Sequence, residues 1–169
     1  LKNLFDLCKF PVIFTRAANV YGEGQQLYRI ITKSMLSFRS GTKIKLHGGG
    51  TSIRSFIHID DVSSALFKII KQGKIGETYH ISSENMISIK NLVTRISKIM
   101  EVDPKNLVES SGDRRGKDHS YKLDSTKVRA KLKWRDKISL ENGLKRTLLW
   151  IDENYKVLSK QPKVYIHKK

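Results

Sequence analysis

The sequence predicts an α/β fold. Short apolar runs of strand length alternate with longer stretches whose apolar residues return every three or four positions. One run, residues 12–14, is apolar without alternation, the pattern of a strand covered on both faces in a parallel sheet. Helix and strand alternate through most of the chain, and the end is helix-rich.

The elements follow in order. Leu1, Leu4, Phe5 and Cys8 share one face of an amphipathic helix, which Phe10-Pro11 stops. Val12, Ile13 and Phe14 form the buried strand, and residues 16–26 are a loop carrying Gly22 and Gly24. Residues 26–39 form a helix with Leu27, Ile30, Ile31, Ser34, Met35 and Phe38 along one side and Gly41 past its end. A strand over 43–46, a turn at Gly48-Gly49-Gly50 and an alternating strand over 53–59 come next. Asp60 caps a helix whose inward face is Val62, Ala65, Leu66, Ile69 and Ile70, and Gly73 closes it. Residues 77–81 are a strand. Ser88 caps a helix with Ile89, Leu92, Val93, Ile96 and Met100 inward, broken by Asp103-Pro104. Leu107-Val108 is a short strand, residues 110–120 are polar, and Asp124 caps a short helix through Leu132. Ser139 caps the last long helix, with Leu140, Leu144, Leu148 and Ile151 on its face. Residues 1–155 read as the folded part and 156–169 as a basic, poorly anchored tail.

Composition narrows the function. A length of 169 residues allows one ordinary domain with a real core. No run approaches the roughly 20 apolar residues of a membrane-spanning helix. The single cysteine, Cys8, excludes an internal disulfide, and a reducing cytoplasm is expected. His47, His58, His80 and His119 show no metal-ligand spacing, so no metal is expected. Lys and Arg total 33 against 16 Asp and Glu, a formal charge of +17. That charge invites a nucleic-acid partner. The lysines are scattered, however, and no helix-turn-helix, zinc-finger or RNA-recognition signature is present, so nucleic acid is not the expected partner.

Three segments carry candidate chemistry. Arg16-Ala17-Ala18-Asn19-Val20-Tyr21-Gly22 follows a strand, where open α/β sheets bind ligands. Asn19 could meet a phosphate or hydroxyl and Tyr21 a ring, or Asn19 simply holds a turn. Gly48 to Arg54 offers backbone amides followed by an arginine whose fork suits a diphosphate; the alternative is a glycine hairpin with a solvated arginine. Asp113-Arg114-Arg115-Gly116-Lys117-Asp118 reads as a phosphate clamp or as a solvated charge run. Asp60-Asp61 is an acid pair or a helix start. No G-x-x-G-x-x-G follows an opening strand, and the only Tyr with Lys four residues on is Tyr165 with Lys169, in the tail.

Four motifs in series resemble the C-terminal half of the extended short-chain dehydrogenase/reductase family, the NAD-dependent sugar-nucleotide epimerases and dehydratases, and most of all its dTDP-sugar 4,6-dehydratase branch. They are the Arg16–Gly22 segment, Gly48 through Arg54-Ser55-Phe56-Ile57-His58 to Asp60-Asp61-Val62, Gly76-Glu77-Thr78-Tyr79-His80-Ile81-Ser82, and residues 113–118. The resemblance implies the last strands of a Rossmann-type sheet with the small substrate-binding α/β domain. It implies a nucleotide-diphosphate sugar, dTDP- or UDP-linked, as partner. Asn19 would contact the sugar nucleotide, Arg54 grip the diphosphate and Arg114 be a second phosphate partner. Gln25 and Leu27 would lie near the base or sugar, with Tyr21 in the same loop, and Asp60-Asp61 match a mainly structural pair. Glu23, Ser55, His80, Arg115 and Lys117 replace the family's usual Pro, Asp, Asn, Pro and His, and bear on which sugar nucleotide is taken. His80 and Lys117 are kept as substrate contacts.

The resemblance also implies NAD for the whole family protein, whose hydride chemistry runs from sugar C4 to C6 with loss of water across C5–C6. It places the Tyr-x-x-x-Lys helix just before residue 1, so no catalytic residue and no turnover are expected of this chain alone. It implies a homodimer built on the helix that residues 1–8 would end, which is not expected to survive here. Epimerization or decarboxylation of a UDP-sugar, and a non-catalytic basic module, are the alternatives.

Overall fold

A computed structural model describes residues 1–113, 116 and 118–165. The chain folds as two compact units made of interleaved segments. The first comprises Leu1–Val20, Ser55–Met86 and Lys122–Ile138; the second comprises Tyr21–Arg54, Ile87–Tyr121 and Ser139–Lys169.

In the first unit, β1 (Phe14–Ala17) pairs in parallel with β5 (Thr78–Ile81), Phe14 opposite Thr78 and Ala17 opposite Ile81. α3 (Ile59–Gln72) and α5 (Thr126–Leu132) pack with β5. Val62, Ala65 and Ile69 of α3 meet Val128, Leu132 and Trp134 in one apolar cluster with Tyr79 and Ile81. Burying such side chains contributes roughly 1.5–3 kcal/mol each. α1 (Lys2–Cys8) buries none of its residues and ends at Lys9, which is left-handed at φ 54. Phe5 rests on Gly76, where a Cβ would collide with its ring.

In the second unit, α2 (Ile30–Arg39) packs on α4 (Ile89–Ile99) and α6 (Leu140–Leu158). Ile31, Met35, Leu92, Ile96, Leu144 and Ile151 are fully or almost fully buried. β3 (Ile44–His47) pairs in parallel with β7 (Val108–Ser111). The first residues of β4 (Ile53–His58) pair in parallel with β8 (Ser120–Tyr121). The remaining strands, β2 (Asn19–Tyr21) and β6 (Met86–Ser88), are short, and each has residues in both units. The expected α/β class with parallel pairing therefore holds. No helix among the described residues is long and apolar enough to cross a membrane.

The caps follow from local chemistry. The Ser88 hydroxyl accepts from Asn91 N–H at 3.1 Å and the Ser139 hydroxyl from Asn142 N–H at 3.2 Å. Gly73 terminates α3 as expected.

Several expectations need correction. The first strand is residues 14–17, not 12–14, and Thr15 to Ala17 are exposed, because β1 has one neighbour rather than covered faces. Part of the expected loop over 16–26 is strand, in β1 and β2. α2 starts at Ile30, not residue 26: Arg29 N–H bonds to the Gln26 carbonyl at 3.1 Å in a turn before the helix. β4 does not alternate, since Ser55 to His58 are all buried. His58, not Asp60, caps α3, accepting from Asp60 N–H at 3.3 Å. Ile70 points outward and is 77% exposed. Residues 156–158 of the expected tail are helical, and Leu158 is buried.

Candidate functional site

The second unit joins two of the four motifs. β3 leads into the 3₁₀ turn Gly48–Gly50, and β7, its parallel neighbour, leads into Gly112 and Asp113. His47 Nδ1 lies 3.1 Å from the Ser111 hydroxyl. All three turn glycines have positive φ, 59°, 61° and 73°. Gly48 is needed twice, because a Cβ there would also sit 2.7 Å from the Asp113 carboxyl carbon.

Arg54 follows this turn on β4 and is half-buried. Its Nη1 donates to the carbonyls of Ile53 at 2.8 Å and His119 at 3.2 Å. Its Nη2 donates to the Asp118 carbonyl at 2.6 Å. Every acceptor is a neutral backbone group, and no carboxylate among the described residues forms an ion pair with Arg54. The Nε–H and one Nη2–H make no hydrogen bond among the described residues. Those two protons form the side-on fork that takes an anion's paired oxygens.

Other expected site residues lie as follows. Gln25 is half-buried in the loop after β2, with its N–H on the Gly22 carbonyl at 3.3 Å. Tyr21 and Leu27, at 1% and 6% exposure, are core residues of the second unit. The Tyr21 hydroxyl donates to the Leu140 carbonyl at 3.4 Å. Arg114 and Lys117 lie outside the described residues.

Asn19 and His80 belong to the first unit. The Asn19 side-chain amide donates to the Ser55 carbonyl at 2.9 Å. His80 sits on β5 opposite Arg16. It lies close enough to Asp124 to help hold that carboxyl below its ordinary value, after the larger effects of the Thr126 hydroxyl and backbone N–H.

A buried network in this unit was not foreseen. The Ser82 hydroxyl donates to the Ser55 hydroxyl at 3.0 Å, and the Ser125 hydroxyl to the Ser82 carbonyl at 3.1 Å. Arg129 donates through Nε to the Ser125 hydroxyl at 2.9 Å, and through Nη2 to the Ser82 carbonyl at 2.8 Å and to Asp136 at 2.7 Å. The signal was present: Ser125, Val128, Arg129 and Leu132 share one helix face, so Arg129 sits among apolar positions.

A dinucleotide cradle needs a glycine turn that opens a helix at its N-terminus. The 48–50 turn instead runs from one strand to the next. That turn is therefore not a dinucleotide cradle, and no step is derived through NAD. Nor do the described residues hold a group of three or more metal-ligating side chains.

Comparison with known proteins agrees with the motifs. The profile of the family described as GDP-mannose 4,6 dehydratase matches residues 2–147. The chain is 31% identical over 160 residues to dTDP-D-glucose 4,6-dehydratase of Homo sapiens, covering 92% of this chain and 45% of that protein. It is 33% identical over 144 residues to the Arabidopsis thaliana trifunctional UDP-glucose 4,6-dehydratase/UDP-4-keto-6-deoxy-D-glucose 3,5-epimerase/UDP-4-keto-L-rhamnose-reductase, covering 85% of this chain and 21% of that one. The dTDP-glucose 4,6-dehydratase of Bacillus anthracis, solved in complex with NAD, superposes with TM-score 0.86 at 28% identity, covering 92% of this chain and 49% of that one. The chain thus spans about half the length of the dTDP-glucose dehydratases it matches, or less.

Proposed function

The chain belongs to the GDP-mannose 4,6 dehydratase family of extended short-chain dehydrogenases/reductases, and on that premise we propose that it is the nucleotide-sugar-binding part of an NAD-dependent sugar-nucleotide 4,6-dehydratase. The observation that carries this reading is Arg54. Its guanidinium is held by three carbonyls, carries no ion pair among the described residues, and keeps its Nε/Nη2 fork open. A diphosphate supplies the paired anionic oxygens that this fork lacks.

In this reading Arg54 grips the diphosphate, and Arg114 and Lys117 keep the phosphate-contact roles that the resemblance gives them. The resemblance gives Asn19, Gln25 and His80, each in its own unit, contacts to the sugar or base. The relatives named for dTDP-glucose support a dTDP-sugar as the ligand. The resemblance puts most of the NAD-binding residues and the hydride chemistry elsewhere than in these 169 residues, and no turnover is expected of them alone. The reading puts the protein in the cytoplasm, in keeping with a single, exposed cysteine.

Equilibrium titration of the 169-residue chain with dTDP and with UDP tests this. Saturable dTDP binding is expected. Arg54→Ala should weaken it by about 1.5–3 kcal/mol, the worth of a hydrogen bond to a charged group. Lys163→Ala should leave it unchanged. Equal effects of the two variants would replace the site with diffuse attraction. Tighter binding of UDP would favour a UDP-sugar epimerase or decarboxylase. Dehydration of dTDP-glucose by this chain with NAD would overturn its assignment as inactive.

A further inference from the structure

α4 and α6 leave a groove between them in the second unit, away from the glycine turn in sequence and made of none of the motif residues. Arg95, Lys98 and Ile99 line it from α4, and Glu141, Leu144 and Lys145 from α6, around a volume of about 410 Å³. Its lining has two characters. Ile99, half-buried, gives the groove an apolar floor, with Leu144 fully buried beneath it. Its rim sets three cations against one carboxylate.

That carboxylate is already engaged. Glu141 Oε1 lies 2.7 Å from Lys145 Nζ, one helical turn on. The Lys145 hydrogen bond is the main reason the Glu141 carboxyl is held below its ordinary value, and Arg95 adds to it through space. Arg95 and Lys98 are three residues apart on α4, hence side by side. Neither forms an ion pair among the described residues. Two like charges held side by side repel, and here no neighbouring acid within ion-pair distance relieves them.

We propose that this groove is a binding site for a small organic phosphate. The phosphate dianion is taken by Arg95 and Lys98, and an aryl or alkyl body lies on Ile99. The net charge of the lining, three cations less Glu141, matches a dianion rather than a single carboxylate. Arginine supplies a planar fork and lysine a point charge, a pairing suited to phosphate oxygens. The apolar floor distinguishes an organic phosphate from the bare ion, because concave apolar surface adds affinity only for a ligand with a body to bury.

Phenyl phosphate is the probe, titrated into the ¹⁵N-labelled chain at physiological salt and followed by amide chemical shifts. Shifts are expected at Arg95, Lys98, Ile99 and Leu144. Arg95→Ala with Lys98→Ala should weaken binding at least tenfold, and inorganic phosphate and benzyl alcohol should each bind at least tenfold more weakly than phenyl phosphate. Arg54→Ala should leave these shifts unchanged, which separates this site from the proposed diphosphate site. Inorganic phosphate binding as tightly as phenyl phosphate would overturn the proposal, as would shifts centred elsewhere or an undiminished response in the double variant.

Discussion

The Asp61 carboxylate accepts two consecutive backbone N–H groups, Lys137 at 2.9 Å and Ile138 at 3.0 Å. It thereby fastens the segment after α5 to the first turn of α3. Beside it the Ser64 hydroxyl accepts from the Trp134 indole at 2.9 Å and donates to the Asp61 carbonyl at 2.8 Å. Asp61 is 4% exposed, so neither backbone donor has water as a ready substitute. Asp61→Ala is expected to destabilize the chain by about 2–3 kcal/mol in urea unfolding, with Asp61→Asn intermediate because one acceptor oxygen survives. Asp60→Ala, at an exposed neighbour, should change stability by no more than about 0.5 kcal/mol. Similar losses at both positions would reduce Asp61 to helix-end electrostatics.

Arg129 and Arg39 each pair with an aspartate, in opposite settings. Arg129–Asp136 is 2.7 Å long with the arginine side chain 5% exposed; Arg39–Asp152 is 2.6 Å with both side chains more than a third exposed. Removing the partner of a buried cation costs about 3–5 kcal/mol, whereas an exposed pair is worth about 1 kcal/mol or less. Asp136→Ala should therefore lower the unfolding midpoint far more than Asp152→Ala. The reverse order would mean that Glu84, 3.8 Å from Arg129, takes over fully.

Gly24 and Gly50 offer a matched comparison. Both have positive φ, 78° and 73°, so alanine strains the backbone similarly at each. A Cβ at Gly24 meets nothing within 4 Å, whereas at Gly50 it lies 2.9 Å from the Lys90 backbone nitrogen. Gly50→Ala should be the more destabilizing in thermal unfolding, by at least about 1 kcal/mol. Equal melting shifts would leave only the shared φ penalty.

Acid should loosen the β5–α5 contact through Glu77. The Tyr79 hydroxyl foremost, then Lys127 and Lys131, hold its carboxyl at about 2, against an ordinary 4.5. A lowered carboxylate pKa stabilizes the folded chain above the ordinary value and loses that contribution as pH falls from about 4.5 to about 2. Glu77→Gln is expected to flatten the stability profile in that window and to leave the slope at neutral pH unchanged. An identical acid limb in the variant would assign the effect to Glu109, Asp124 or Glu141, whose carboxyls are also lowered.

What the sequence made legible was local. Ser88, Ser139 and Gly73 act within one turn of themselves, so the residue type alone announces the helix end. Leu27 misled for the same reason: it sits at helical spacing ahead of Ile31, yet a turn at Gln26 and Arg29 delays the helix. Arg129, Asp136 and Trp134 stayed hidden because their partners, Ser82 and Ser64, come from other segments of the chain. At the candidate site the four motifs marked Arg54, but nothing in their spacing said that its guanidinium would bond to the carbonyls of 118 and 119. The burial of Tyr21 was not legible because an aromatic beside a ligand loop and an aromatic in a core look alike in sequence.

The interleaving of the two units governs when either can form. Phe14 waits for Thr78 and Ile44 for Val108, so parallel pairing cannot begin on local contacts. The first unit is complete only with Lys122–Ile138 and the second only with Ser139–Lys169. On a ribosome adding about 5–20 residues per second, β1 and β3 therefore emerge seconds before their partners. During that interval their edges are unpaired strands, the surface on which like strands add to one another.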